Sequence, residues 1–216
     1  MMIEQLTFYD YFRSSASYRV RIALALKGLS AEQIKAVDLR GGEQSGQPYK
    51  SLMPSGLVPS FTFGGKTFGQ SIALIEWLDA LYPTPRLIPT DPYEALAVRE
   101  MALTVACDIH PLNNLRVLNY LTGPLKLREE DRLAWYRHWI TIGFATLEAL
   151  IAKHERNGPY CFGEAISLAD VCLAPQVYNA RRFDVDMAAY PALCRVDAHC
   201  NTLPGFQSAS PEAQNA

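Results

Sequence analysis

The chain has 216 residues, 49% of them hydrophobic and 19% charged, with a formal net charge of -2 at pH 7. The apolar fraction suffices for a core and excludes a disordered chain, while the near-neutral charge gives no basic surface for binding nucleic acid or an anionic membrane. The five cysteines show no C-x-x-C spacing, so neither a disulfide framework nor a metal site is expected.

The amino-terminal part of the chain predicts a strand, a helix and a second strand. Residues 6–12 (LTFYDYF) are rich in aromatic side chains, as strands are. The serine-rich turn at 13–17 is followed by apolar residues at helical spacing up to Gly28. A second short strand is predicted at 34–39, and because a helix joins the two strands, they are expected to be parallel.

A hairpin and a helix complete this predicted domain. Gly64-Gly65 separates the predicted strands 58–63 and 66–68, and a helix is predicted over 71–81. The order βαβ followed by ββα is that of a thioredoxin-like domain. We therefore expect a thioredoxin-like domain at residues 1–82.

The rest of the chain predicts a linker and a helical domain. Four prolines stiffen the stretch around residues 83–92, which is the expected linker. Residues 93–216 show helical patterns, so the predicted fold class is α/β plus all-α. The predicted helices run from 93 to about 121, 128 to about 154, 167 to about 179 and 193 to about 202, and the last dozen residues are expected to fray.

Charged side chains are spread through the first thirty residues, and no apolar run approaches the length of a membrane span. We therefore expect no signal peptide and no membrane partner. The expected location is the cytoplasm.

Three short stretches of the predicted domain are candidates for binding a ligand. The first, Ser14-Ser15-Ala16-Ser17, follows a strand and begins a helix, so it could cap the helix or bind an anion. The second is Pro59, which is either an ordinary strand-initiating proline or a cis proline that leaves the preceding backbone open to an extended ligand. The third is Gln70-Ser71, which could cap a helix or bind a carboxylate.

Together these stretches resemble the zeta class of glutathione transferases, the maleylacetoacetate and maleylpyruvate isomerases. The similarity covers nearly the whole chain. It implies a homodimeric enzyme that uses glutathione for the cis–trans isomerisation of maleylacetoacetate or maleylpyruvate. The residues that carry it are SSASYRVRIAL at 14–24, Pro54, Val58-Pro59, Gln70-Ser71, DIHPLNNLRVL at 108–118 and LAPQVYNARRF at 173–183.

The resemblance implies which residues hold glutathione. Ser14 and Ser15, with the N–H groups at the start of their helix, would donate hydrogen bonds to the sulfur and lower the pKa of the thiol. The other implied contacts are Gln44 at the glycine end, Val58 and Pro59 at the cysteine unit, Gln70 and Ser71 at the γ-glutamyl group, and His110 and Asn114 in the helical domain, on one helix face four residues apart.

The implied substrate is a small dicarboxylate, which requires cations with a fixed position. Arg13 is assigned to catalysis and to substrate binding because it directly precedes the serines. Arg116 and Arg182 are further candidates for substrate binding, Arg182 on the family match alone. Arg19 and Arg21 are assigned to structure, paired with acidic groups or in solvent.

Two departures from the family pattern affect the chemistry. Ala16 stands where the family motif usually has cysteine, so the sulfur must come from glutathione. His110, in the context DIHPLNN, resembles the bacterial maleylpyruvate isomerases and leaves both substrates as candidates. The alternatives are a zeta-class transferase that acts on small halogenated acids and a glutathione-transferase-like binding module without catalysis.

Overall fold

A computed structural model describes residues 1–154 and 158–215 of the chain. Its internal contacts divide it into two units. The first unit consists of Met1–Arg86 and the carboxyl-terminal segment Thr202–Ala216, and the second of Leu87–Asn201. None of the helices in these described ranges is both long and apolar enough to cross a membrane.

The first unit contains one sheet with the strand order β2-β1-β3-β4. Strand β2 is parallel to β1, whereas β3 is antiparallel to both β1 and β4. This topology confirms the thioredoxin-like prediction and adds one short helix, α2, that was not predicted. The elements are β1 (Met2–Asp10), α1 (Ser15–Leu26), β2 (Ser30–Ala36), α2 (Gln47–Leu52), β3 (Ser60–Phe63), β4 (Lys66–Gly69) and α3 (Ser71–Leu81).

The two faces of the sheet carry different helices, because successive strand side chains point to opposite faces. Phe8 is buried and packs edge to face on Phe61, whose ring also meets Trp77 of α3. The next residue, Tyr9, packs instead against Tyr49 of α2. Helix α2 thus covers one face of the sheet and α3 the other.

The carboxyl-terminal segment forms a helix, α9 (Pro204–Ala209), that packs on α1. Phe206 is fully buried, and its carbonyl accepts a hydrogen bond from the Tyr18 hydroxyl at 3.3 Å. The prediction that the last dozen residues fray is therefore wrong for this helix. The sequence suggested a helical unit over residues 93–216. In the structure residues 202–216 belong to the first unit instead.

The second unit is helical, and its core lies between the helices α4 (Pro92–Leu103), α6 (Glu129–Lys153), α7 (Leu168–Arg182) and α8 (Pro191–Cys200). One long helix was predicted from 93 to about 121, but the structure breaks it. A π-helical turn at Thr104–Ile109 follows α4, and residues 111–114 form a turn because Pro111 has no N–H to continue the helix. Helix α5 (Leu115–Thr122) follows this turn.

A capping box begins α7. The Asp170 carboxylate accepts hydrogen bonds from the N–H and the hydroxyl of Ser167, both at 2.8 Å. It also accepts one from the N–H of Cys161 at 2.7 Å, so three donors satisfy a fully buried acid.

The proline-dense stretch between α3 and α4 is partly anchored. The buried ammonium of Lys27 donates to the carbonyls of Tyr82 and Pro85, at 2.7 and 2.8 Å, and to the Asp79 carboxylate at 2.7 Å. Leu87, which lies between Pro85 and Pro89, is fully buried. The predicted linker 83–92 therefore contains residues that belong to the cores on either side of it.

Candidate functional site at one edge of the sheet

The strand directions bring several chain segments to one edge of the sheet. Strands β1, β2 and β4 run in one direction and end at this edge, whereas β3, which is antiparallel, begins there. Ser60 at the start of β3 lies between Tyr9 and Gly69 in the register. The amino termini of α1 and α3, which follow β1 and β4, therefore meet at the edge where the chain enters β3.

Ser14 is the residue of the serine-rich turn that caps α1. Its Oγ accepts a hydrogen bond from the N–H of Ser17 at 3.2 Å, and its own N–H donates to the Tyr11 carbonyl at 2.8 Å. A hydroxyl that accepts a cap hydrogen bond keeps its proton for another acceptor. Ser15, buried, is the first residue of the helix, and Arg13 is exposed just before the cap.

A thiolate is the kind of ligand that this amino terminus suits. The dipole of α1 favours negative charge at its amino terminus, and the Ser14 hydroxyl adds a donor. All cysteines of the sequence lie in the second unit. Burial raises the pKa of the Cys161 and Cys200 thiols, so they are poor nucleophiles. A thiol at this edge must come from a bound molecule.

The backbone of Val58 is open at the same edge. The Val58–Pro59 peptide bond is cis. Neither the N–H nor the C=O of Val58 has a hydrogen-bond partner among residues 1–154 and 158–215, although the side chain is buried. Unpaired backbone groups next to a strand are suited to pairing with an extended, peptide-like ligand.

Tyr49 fixes the chain on both sides of Val58, and sequence reasoning missed it because α2 was missed. Its hydroxyl donates to the Leu57 carbonyl at 2.8 Å and lies 3.0 Å from the Ser60 hydroxyl. Burial raises the pKa of the Tyr49 phenol, which keeps it protonated and able to donate.

Gln70 and Ser71 begin α3 at this edge. Gln70 has a φ of 70°, a conformation that is costly for a residue other than glycine and that is common at functional sites. Its carbonyl accepts the hydrogen bond of the Leu74 N–H at 3.0 Å. Ser71 is buried, and its Oγ accepts a hydrogen bond from Nη1 of Arg19 at 3.2 Å. The pair therefore offers a helix amino terminus with a buried hydroxyl.

Gln44 is the glutathione-binding candidate that the structure supports least. It lies in a helical turn at Glu43–Ser45, and its amide Nε2 donates to the carbonyl of Leu39 at 3.3 Å. The Oε1 atom, which is buried, has no partner within the described chain. In this orientation Gln44 presents an acceptor, and it would have to rotate to donate to a carboxylate.

In the second unit, His110 and Asn114 do not share a helix face, contrary to the sequence expectation. His110 ends the π-helical turn, where its N–H donates to the Val105 carbonyl at 2.9 Å. Asn114 caps α5 by accepting the N–H of Arg116 at 3.1 Å. The turn at 111–114 separates them, because Pro111 ends the first helix.

The arginines fall into two groups. Arg181 is held by the buried carboxylate of Asp197 at 2.5 Å, whereas Arg182 is exposed and its guanidinium lies 5.2 Å from the Phe183 ring. Arg116 is exposed on α5. None of the three candidates for substrate binding (Arg13, Arg116 and Arg182) forms an ion pair with another described residue.

Comparisons with known proteins show which proteins the chain is similar to. Residues 8–86 match the family described as glutathione S-transferase, N-terminal domain. Over 211 residues, the chain is 50% identical to a probable maleylacetoacetate isomerase of Vibrio cholerae serotype O1, with 97% of each chain covered.

Solved structures give the same result. A holo structure of maleyl pyruvate isomerase, described as a bacterial glutathione S-transferase in the zeta class, superimposes with a TM-score of 0.93 at 44% identity and covers 96% of this chain and 98% of that one. A maleylacetoacetate isomerase from Methylobacterium extorquens AM1, with bound malonate and glutathione, has a TM-score of 0.92 at 33% identity and covers 96% and 97%.

Proposed function

The chain belongs to the zeta class of glutathione transferases, the family of the maleylacetoacetate and maleylpyruvate isomerases, and from this premise we propose that it isomerises maleylacetoacetate or maleylpyruvate from cis to trans with glutathione. One observation carries the proposal. The Ser14 cap, the open backbone of Val58 and the buried hydroxyl of Ser71 all lie at one edge of the same sheet.

The spacing of these groups fits a tripeptide. Ser14 follows β1 and Ser71 follows β4, with β3 between the two strands. Neighbouring strands are about 4.8 Å apart, so the two helix amino termini are separated by roughly 10 Å. Three extended residues span about the same length. The thiol unit would then lie beside Val58, with the γ-glutamyl group at Ser71.

Bound glutathione supplies a thiol that adds reversibly to a conjugated double bond and leaves again after rotation about the resulting single bond. The chain must keep this thiol deprotonated. Ser14 donates its hydroxyl proton toward the sulfur, and Ser15 with the first N–H groups of α1 adds positive potential. Because these donors are fixed before binding, they favour the thiolate over the thiol.

The substrate carboxylates require the remaining cations. We propose that Arg13, Arg116 and Arg182 bind them, since all three are exposed and none is held by an acidic partner in the described chain. Guanidinium groups match carboxylates in shape and can donate two parallel hydrogen bonds. The malonate in the solved relative is a small dicarboxylate of this kind.

We further propose that the enzyme works as a homodimer in the cytoplasm. Large apolar side chains are exposed along α4, among them Tyr93 at 66% and Leu96 at 65%. Such a row on a helix is typical of a surface that a second subunit covers. Sedimentation of the purified protein over a range of concentrations measures the association.

The function is tested with purified protein and both cis substrates. We expect each active substrate to be converted to its trans isomer only when glutathione is present, with no net loss of glutathione. Conjugation or dehalogenation of a small halogenated acid without isomerase activity would favour the transferase alternative. Calorimetry that detects no glutathione binding would favour the glutathione-transferase-like binding module without catalysis.

A further inference from the structure

Arg19 is a buried cation that contacts the proposed glutathione site from behind. It is 1% exposed, the largest of the fully buried side chains, and lies on α1 five residues after Ser14. Its Nη1 donates to Oγ of Ser71, the first residue of α3, at 3.2 Å. An arginine is rarely buried without a polar reason, because removing its charge from water is costly. From the sequence alone, Arg19 was predicted to have a structural role, paired with an acidic group or in solvent.

The contact determines which way the Ser71 hydroxyl points its proton. A hydroxyl has one proton to donate and two lone pairs to accept, whereas a guanidinium only donates. The Ser71 oxygen must therefore be the acceptor in this hydrogen bond. Its proton is left to point away from Arg19, to an acceptor at the amino terminus of α3.

The charge of Arg19 acts in the same direction. The amino terminus of α3 already favours an anion through its free N–H groups and its dipole. A buried guanidinium within hydrogen-bond distance of Ser71 adds positive potential there, which the protein interior screens less than water does. Both effects favour a carboxylate as the ligand.

We propose that Arg19 is a positioning residue for glutathione: through Ser71 it selects the α-carboxylate of the γ-glutamyl unit. The inference rests on the proposed function, since it takes glutathione as the ligand at this edge. It adds a residue that touches neither the thiol nor the dicarboxylate and that acts through a second side chain.

Arg21 provides a matched comparison. It is buried on the same helix, two residues further on, but its guanidinium binds the Asp10 carboxylate and the carbonyls of Phe12 and Ala209. No contact to Ser71 is found among the hydrogen bonds of Arg21 in the described chain. The two arginines therefore share burial and charge but differ in the group they orient.

The test compares two ligands by calorimetry: glutathione, and its analogue in which 4-aminobutyrate replaces the γ-glutamyl unit and removes the α-carboxylate. We expect Arg19→Met to raise the Kd of glutathione about tenfold, the loss of one hydrogen bond to a charged group, and to change the Kd of the analogue less than about twofold. In Arg21→Met, the ratio of the two Kd values should stay as in the wild type. In a Ser71→Ala background, Arg19→Met should have little further effect on glutathione.

Equal weakening of both ligands by Arg19→Met, or additive losses in the double variant, would overturn the inference. If Arg19→Met does not fold, Arg19→Lys takes its place: it keeps the charge and a donor, and it should retain more of the preference for glutathione than Ser71→Ala does. A lower preference than that of Ser71→Ala would contradict the role. Failure of the wild type to bind glutathione would instead overturn the proposed function.

Discussion

Arg21 binds Asp10 through a single nitrogen, with Nη1 at 2.8 Å from one carboxylate oxygen and 3.0 Å from the other. The rest of the guanidinium reaches the carbonyl of Phe12 and, at 2.9 Å, that of Ala209. One buried side chain therefore connects the end of β1, the turn that precedes Ser14 and the last helix. Burial lowers the pKa of the Arg21 guanidinium, and the Asp10 carboxylate opposes this effect.

The first prediction concerns this ion pair. Arg21→Met should lower the free energy of unfolding by about 3–5 kcal/mol, because it leaves the Asp10 carboxylate buried without its partner. Urea unfolding at neutral pH measures the loss. The double variant Arg21→Met with Asp10→Leu should recover part of it. A loss below about 1 kcal/mol for the single variant would show that solvent compensates the carboxylate.

The second prediction concerns α9. A chain that ends after Leu203 loses the buried ring of Phe206 and the Ala209 carbonyl that Arg21 binds. We expect a loss of at least about 4 kcal/mol, or failure to fold, from the apolar burial and the buried charge together. A chain that ends after Pro211 keeps both contacts and serves as the control. Equal thermal stability of the two shortened chains would contradict the packing of α9 described above.

The third prediction separates Ser14 from Ser17. Ser14→Ala removes the helix cap, at a cost of about 1 kcal/mol, and should raise the pKa of the bound glutathione thiol by roughly 1–2 units. Titration of the thiolate ultraviolet absorbance in the complex measures this pKa. Ser17→Ala is the control, since its buried hydroxyl has no hydrogen-bond partner among the described residues. A similar shift in both variants would remove the special role of Ser14.

The fourth prediction uses the neighbouring arginines of α7. Arg182→Ala should raise the KM for the dicarboxylate at least about tenfold, the loss of a charge-assisted contact, while the Kd of glutathione stays near the wild-type value. Arg181→Ala should have the opposite profile, because Arg181 is held by the buried Asp197. It should lower the melting temperature with little change in KM. Weakening of both ligands by Arg182→Ala would assign that residue to structure.

The fifth prediction concerns the cysteines and pH. Burial raises the pKa of the Cys161 and Cys200 thiols, because the thiolate is disfavoured in an apolar environment. At about pH 8 the exposed Cys107 should be labelled by a thiol reagent in the native protein, whereas these two react only after unfolding. Mass spectrometry of the labelled peptides identifies the sites. Rapid native labelling of Cys200 would contradict its burial.

The raised pKa values of the Cys161 and Cys200 thiols also make the free energy of unfolding depend on pH. Below the ordinary thiol pKa of about 8.5, the two thiols are protonated in both the folded and the unfolded chain. As the pH rises above it, only the unfolded chain loses protons at these positions, so stability falls. Thermal unfolding at increasing alkaline pH should show this decrease.

Much of the fold was predictable from local patterns. The sequence placed α3 at 71–81, where the structure has it, because a hairpin precedes it and prolines follow. It missed α2, since the six residues from Gln47 to Leu52 are too few for a helical period to show. It also joined α4 to α5. In the structure Pro111, which has no N–H to continue the helix, separates the two.

The site was predictable only where a motif carries it. Ser14 and Ser71 begin helices, so their position follows from strand order and helix polarity. The hydrogen bond between Arg19 and Ser71 joins residues 52 positions apart, and no local pattern indicates it. The choice between Arg181 and Arg182 depends likewise on Asp197, whose neighbourhood arises only from the packing of α7 against α8.

The packing of α9 on the first unit affects the order in which the protein can fold during synthesis. The amino terminus of the nascent chain leaves the ribosome first, so the sheet with its proposed glutathione site emerges before the helical unit. Its Arg21 nevertheless lacks the Ala209 carbonyl until all residues of the second unit have been synthesised. The first unit is therefore completed only after the helical unit that lies within its sequence.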